Sequence, residues 1–199
     1  MEDRKINEME SLELISEMIR KTKNEGSMKE DYNTFLYYGY AAVIISIIVW
    51  AGIHFTGELE FSFIWFAMFV PYLWTTFAGK QKKPEVVTYL DSMLGNIWKI
   101  IGNMFALTTL AIVATGAYVG IINFSLMMPL SIIYAGIGTA MTGLVIKEKA
   151  FVGLPLVGLL ASVYMLLSDG YDNSWNILFG LSFLAFMVIP AHIVRSKAK

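Results

Sequence analysis

The sequence predicts an all-α membrane protein in which six transmembrane helices form three hairpins. Three observations predict this class. Of the 199 residues, 56% are hydrophobic and 16% are charged, which does not suit a soluble surface. Six apolar segments follow one another, and most approach the roughly 20 residues that cross a bilayer core ~30 Å thick. The lysines and arginines lie between these segments on one side only.

Residues 1–33 form a separate, soluble segment before the first span. Its apolar residues recur at three- and four-residue spacing, which predicts an amphipathic helix from about Asn7 to Asn24. The segment carries nine acidic and six basic side chains, so anionic lipid would not attract it. Two roles stay open. The apolar stripe folds back on the ends of the spanning helices, or it contacts a protein partner or a second copy of the chain.

The transmembrane domain covers residues 34–194, and a short tail, 195–199, follows it. The spans are expected at about 34–55, 61–77, 97–119, 126–146, 150–168 and 175–194. Every basic residue then falls on the same side as the N-terminus, with Lys99 at the inner end of the third span. By the positive-inside rule both termini are cytoplasmic. No apolar core of a signal peptide precedes the first span, so we expect this span to direct insertion.

Two smaller features complete the predicted topology. The connection between the second and third spans contains an apolar stripe after Pro84, which predicts a short interfacial helix that ends near Gly95. The five tryptophans lie close to predicted span ends, where they would serve as interfacial anchors. They are Trp50, Trp65, Trp74, Trp98 and Trp175.

The fourth span, Leu126–Ile146, contains 21 residues without a charge and many small side chains. Small residues one turn apart let helix backbones approach closely. We therefore expect this helix near the centre of the bundle, in contact either with helices of the same chain or with a second copy. The candidate helix-packing residues are Ser131, Ala135, Gly136, Gly138, Thr139, Ala140 and Thr142.

Prolines and hydroxyls supply the few polar features inside the spans. Pro71 is the most central of four prolines predicted to kink their helices, the others being Pro129, Pro155 and Pro190. Hydroxyls near the middle of five spans could converge on a polar cavity, or could bond to carbonyls of their own helices. The candidate mid-membrane polar or kink residues are Pro71, Asn103, Thr108, Thr109 and Ser162.

Charged side chains are missing from the middle of the spans, which argues against ion-coupled pumps and proton relays. His54 and His192 lie at opposite ends of the predicted bundle, so they cannot share a metal site within one chain. The absence of cysteine excludes disulfides and cysteine metal sites. No catalytic motif is found in a suitable context. We expect no catalytic residue, no cofactor and no nucleic-acid partner, and the lipid bilayer as the main surrounding.

At ESLELISEMI, residues Glu10–Ile19, and LYYGYAAVI, residues Leu36–Ile44, the chain resembles a group of small, uncharacterised bacterial inner-membrane proteins with a cytoplasmic N-terminal helix. The resemblance covers about the first quarter of the chain and implies a bacterial inner-membrane location. It implies no activity.

Two functions remain after these considerations. The first is a non-enzymatic regulatory or scaffolding protein of the membrane, which uses its N-terminal helix for assembly. The alternative is a carrier or channel for a small neutral solute, favoured by Pro71 and the mid-span hydroxyls.

Overall fold

The computed structural model describes residues 27–68, 70 and 89–197 of the chain. All regular structure in these residues is helical, so the predicted all-α class is confirmed. The long helices are α1 (Ser27–Thr56), α2 (Tyr89–Val119) and α3 (Met127–Ile146). The shorter ones are α4 (Lys149–Gly153), α5 (Pro155–Leu167), α6 (Ser174–Phe183) and α7 (Ile189–Lys197). Two 3₁₀ helices, Leu59–Met68 and Phe124–Leu126, and a π-helix, Leu184–Val188, complete the described elements.

Within the described residues, five helical stretches are long and apolar enough to cross a membrane, which confirms a multi-pass membrane protein. They are Asn33–Thr56, Ser92–Val119, Phe124–Ile146, Lys149–Leu167 and Ser174–Lys197. These stretches match the predicted first, third, fourth, fifth and sixth spans. The predicted N-terminal helix and the second half of the second span, with Pro71 and Trp74, lie outside the described residues.

The last span is the most buried of the five candidate spans, and the fourth span, which we expect near the centre, is buried to the same extent as the first. In the most apolar part of Ser174–Lys197, 56% of residues are buried, against 39% for Phe124–Ile146. Phe179, Phe183 and Phe186 form a continuous row of ring contacts inside the bundle. Helix α1 comes so close to α6 that a Cβ on Gly180 would lie 2.1 Å from Ser46 Oγ. An added Cβ at position 180 would therefore force the Ser46 hydroxyl to move.

Helices α3 and α4 are joined by a tight turn. Lys147 has a positive φ of 60°, and the Glu148 N–H donates to the Gly143 carbonyl at 2.9 Å. This bond closes the carboxyl end of α3. On the other side of the turn, Phe151 of α4 packs against Gly143, where an added Cβ would lie 2.6 Å from Phe151 Cβ. The turn therefore holds the two helices in close contact.

Two features of this part of the chain differ from the prediction. The described part of the second span is a 3₁₀ helix, in which side chains three residues apart line up. This places Ser62, Trp65 and Met68 in one row. The interfacial helix does not end near Gly95, because α2 continues from Tyr89 to Val119. Gly95 does not have a positive φ, so it can be accommodated within a helix. The apolar residues after it continue α2.

The prolines act in different ways. Pro155 separates α4 from α5 and begins α5, a position where its missing N–H costs nothing. Pro190 follows directly on the π-helix Leu184–Val188, where the helical hydrogen-bond pattern changes. Pro129 lies in the first turn of α3, so it removes no intrahelical bond and the helix runs on unbroken. The kink expected at Pro129 is therefore wrong.

Two of the tryptophans expected to be interfacial anchors contribute to the interior. Trp175 is 2% exposed. The Trp98 ring packs against Gly138, which lies eight residues before the end of α3 and therefore well inside the span. Their position near span ends in the sequence does not fix the level at which the helices meet. Lys99, next to Trp98, is exposed on α2, ten residues after the first residue of that helix.

Candidate functional site

The hydroxyls at mid-span are bonded to carbonyls of their own helices. Ser46 donates to Val43 O at 2.9 Å, and Ser162 donates to Leu159 O at 2.8 Å. The same local bond is made by Thr108 to Met104, Thr109 to Phe105 and Ser182 to Leu178. A hydroxyl that donates to its own helix has no proton left for a solute. Each of these side chains therefore uses its one proton in a local bond and keeps only its acceptor lone pairs.

The candidate packing residues of α3 contact neighbouring helices of the same chain. A Cβ on Gly138 would lie 3.1 Å from Trp98 of α2, and one on Gly136 would lie 3.7 Å from Pro155 of α5. Ser131 donates to Met128 O and Thr142 to Gly138 O, both within α3. Ala135 and Ala140 are half-buried.

Thr139 is fully buried, and its hydroxyl has no hydrogen-bond partner among the described residues. The Trp175 indole N–H is in the same situation. No other described group accompanies either atom to complete a binding site.

One hydroxyl also links two helices. The Thr108 and Tyr134 hydroxyl oxygens are 2.6 Å apart and join α2 to α3. Asn103, one of the predicted mid-membrane polar residues, is exposed on α2 and has no hydrogen bond to any described residue. Its carboxamide, like that of Asn96 on the same helix, is unpaired among the described residues.

A buried asparagine organises the opposite end of the bundle from Lys147. Asn176 of α6 is 0% exposed, and its Oδ1 accepts from the Trp65 indole N–H at 3.2 Å. Its Nδ2 donates to the Tyr171 hydroxyl at 2.6 Å and to Asn173 Oδ1 at 3.0 Å. The Asn173 amide in turn donates to the Trp50 carbonyl at 3.1 Å. One carboxamide thus ties together α6, the 3₁₀ helix, the α5–α6 loop and, through Asn173, α1.

The α5–α6 loop beside this network contains two groups with altered ionisation. Burial raises the pKa of Tyr171 from its usual 10.0, against the opposing effect of hydrogen bonds from Asn176 and Ser62. The pKa of Asp172 is lowered from 3.8, chiefly by the hydrogen bond from the Ser174 hydroxyl and also by the Ser174 backbone N–H. These bonds fix the first turn of α6. Both shifts have a structural cause and indicate no acid–base pair.

The two histidines lie at opposite ends, as the sequence indicates. His54 stacks on Trp50 with ring centroids 5.1 Å apart, and His192 Nε2 lies 2.7 Å from the Tyr40 hydroxyl. Within residues 27–68, 70 and 89–197, no three His, Asp or Glu side chains come together as a metal site would require.

Two depressions of the described surface are open grooves at the ends of the bundle. One, of about 470 Å³, is lined by Trp50, Tyr164, Ser174, Ile177 and Leu178. The other, of about 450 Å³, surrounds the turn between α3 and α4. Both are mainly apolar, and neither contains the Asn176 carboxamide or the mid-span hydroxyls.

Sequence reasoning missed the Asn176 network. An asparagine three residues inside an apolar span was the available signal, because a carboxamide there requires partners. Those partners include Trp65, which lies 111 residues away in sequence.

Comparison with protein-family models, with curated proteins and with solved structures finds no match to this chain. The fold and these contacts are therefore the basis of the functional inference.

Proposed function

We propose that this chain is a bacterial inner-membrane protein of regulatory or scaffolding type, which acts by assembly with other protein and catalyses no reaction. Its six spans form three hairpins with both termini in the cytoplasm. This topology is supported by the one-sided distribution of Lys and Arg. The resemblance of residues 10–19 and 36–44 to small bacterial inner-membrane proteins supports the location.

The observation that carries the proposal is the bonding of the mid-span hydroxyls. Five of them, from Ser46 to Ser182, donate within their own helices. A carrier for a neutral solute needs donors and acceptors aimed into a cavity that the solute can enter. Apart from the unpaired Thr139 hydroxyl and Trp175 indole N–H, the described interior contains apolar side chains, locally bonded hydroxyls and one fully bonded carboxamide. Such an interior favours a structural role over transport.

The N-terminal segment, residues 1–33, supplies the contact surface in this proposal. Its net charge of minus three follows from six basic and nine acidic residues in the sequence. An acidic amphipathic helix is repelled by anionic lipid and is suited to a protein surface with basic residues beside an apolar groove.

The carrier remains the second candidate, and one observation favours it. Thr139 is buried in α3 with an unpaired hydroxyl among the described residues. A solute path would have to pass this hydroxyl, since the others donate locally.

Two experiments distinguish the scaffolding protein from the carrier: deletion of residues 1–26, and measurement of solute flux in liposomes. The full chain and the deletion variant are expressed in the native membrane, cross-linked and purified. We expect specific protein partners with the full chain and their loss with the deletion. A variant in which Leu12, Ile15 and Ile19 are changed to Ser keeps the segment's length and charge, and we expect the same loss.

The same proteins in liposomes test the alternative. We expect the permeability of liposomes to glycerol and urea to equal that of empty liposomes. Flux above that background that is lost in Thr139→Val would contradict the scaffolding proposal and support the carrier. Identical partner sets for the full chain and the deletion would contradict it as well.

A further inference from the structure

Helix α2 has an outward face that the described bundle leaves uncovered. Only 11% of the residues in its most apolar part are buried, against 28% to 56% in the other four candidate spans. Its inward stripe contains Leu94, Ile97, Ile101 and Gly116, all buried. The opposite face contains residues that are all exposed: Asn96, Ile100, Asn103, Leu107, Leu110, Ala114 and Ala117.

The spacing of these outward residues is regular. From Asn96 to Ala117 the spacing alternates between four and three residues. It does so over three repeats of seven residues, which gives a mean period of 3.5 residues. A repeat of 3.5 residues is the seam of a left-handed helix pair, in which each side chain fits between residues of the facing helix.

Asn103 lies at the middle of the span. Two contacts between the antiparallel helices α2 and α3 bracket it. Trp98 packs against Gly138, and the Thr108 hydroxyl lies 2.6 Å from that of Tyr134. Asn103 is therefore level with about residue 136, the middle of α3, which runs from Met127 to Ile146. An unpaired carboxamide at this depth in hydrocarbon is costly.

We propose that this face of α2 is a self-association surface that pairs with the same face of a second copy of the chain. All copies cross the membrane in the same direction, so two α2 helices meet in parallel. A twofold axis along the membrane normal then places Asn103 beside Asn103 of the partner. A carboxamide both donates and accepts, so the two side chains satisfy each other.

The remaining residues of the face fit the same arrangement. Ile100, Leu107 and Leu110 supply apolar contact, and Ala114 with Ala117 permits close approach toward the other end. Lys99 lies beside the seam and not in it, so the two lysines do not face each other. A polar residue at one seam position fixes register and oligomeric state in coiled coils.

The small residues of α3 are not available for this contact. Gly136, Gly138 and Gly143 pack against Pro155, Trp98 and Phe151 of their own chain. The self-association surface is therefore on α2. It goes beyond the proposed function, because it does not involve the N-terminal segment.

Cysteine cross-linking tests the face directly, since the natural chain contains no cysteine. Single-cysteine variants Leu107→Cys and Leu110→Cys lie on the face, and Met104→Cys and Thr115→Cys are exposed controls on the sides of the same helix. In liposomes that contain the full chain, we expect oxidation to give disulfide-linked dimers at 107 and 110 only. Equal cross-linking at all four positions would overturn the proposal.

The role of the carboxamide is tested by substitution. Asn103→Leu removes it and suits lipid, so insertion is preserved, and Asn103→Gln retains a carboxamide. Dimerisation is measured by energy transfer between labelled copies as the protein-to-lipid ratio is varied. We expect the dissociation constant to rise about tenfold in Asn103→Leu, as loss of two interhelical hydrogen bonds requires, and to change by less than about threefold in Asn103→Gln.

Two further results would overturn the proposal: an unchanged dissociation constant in Asn103→Leu, or a monomer in which residues 69–88 of the same chain cross-link to position 107. Deletion of residues 1–26 should leave the cross-links intact. This result separates the α2 contact from the proposed N-terminal assembly, since either can fail while the other holds.

Discussion

Replacement of Asn176 by Leu tests whether one buried carboxamide stabilises the end of the bundle. The two side chains are similar in size, so the change removes hydrogen bonds without opening a large cavity. It leaves the Trp65 indole N–H without its acceptor and the Tyr171 hydroxyl without its donor. It also breaks the bond to Asn173 Oδ1.

The expected magnitude follows from these contacts. Hydrogen bonds between membrane helices average ~0.6 kcal/mol, and three of them together contribute about 2 kcal/mol. An indole N–H left unpaired in a partly buried position adds about 1–2 kcal/mol. We therefore expect the free energy of unfolding to fall by about 2–4 kcal/mol in Asn176→Leu.

The measurement is reversible unfolding in mixed micelles of dodecyl maltoside and SDS, followed by far-UV circular dichroism. Asn123→Leu is the comparison variant, because Asn123 is exposed and its side chain bonds only to Ser125 as a helix cap, so its effect should be about 1 kcal/mol, the typical cost of a lost cap. Trp65→Phe with Asn176→Leu completes a double-mutant cycle. A loss below 1 kcal/mol for Asn176→Leu, or full additivity in the cycle, would refute the reasoning.

Three further predictions concern packing and pH. Gly138→Leu should displace Trp98 from its place between α2 and α3 and lower the free energy of unfolding by about 1–3 kcal/mol in the same assay. Gly102→Leu, with open space around it, should not lower it. Equal losses in the two variants would contradict the close contact. Above pH 10.0 stability should fall, because Tyr171 ionises more readily in the unfolded chain than in the folded one. Tyr171→Phe should reduce this fall, and an unchanged alkaline profile would contradict the shift. Below pH 3.8 stability should decrease as Asp172, whose pKa is lower in the folded chain, becomes protonated; Asp172→Asn should lack this component, and a profile identical to the wild type would count against it.

Much of the helix content could be predicted from apolar length alone. The stretches Asn33–Thr56 and Phe124–Ile146 lie within a few residues of the predicted first and fourth spans, because the length of a span is set by the bilayer. The relative heights of the helices, and which helices contact each other, could not be predicted from apolar length. The contact of Trp98 with Gly138 depends on the axial offset between α2 and α3, and no local sequence pattern determines that offset.

The partners of the polar side chains could not be predicted either, because they too depend on how the helices pack. A serine or threonine in a helix can donate to its own helix or to a neighbour, and the sequence contains no information that decides between the two. Asn103 and Asn176 are asparagines in apolar spans, yet one is exposed and the other is fully buried. Only the packing of the helices distinguishes an inward position from an outward one.

The turn between α3 and α4 has a consequence for biosynthesis. Only Lys147 and Glu148 separate the end of α3 from the beginning of α4, and two residues reach at most ~7 Å. When α3 has entered the bilayer, the short turn keeps the following chain, which becomes α4 and α5, close to the end of α3. We therefore expect the two helices to leave the insertion machinery together, as one hairpin.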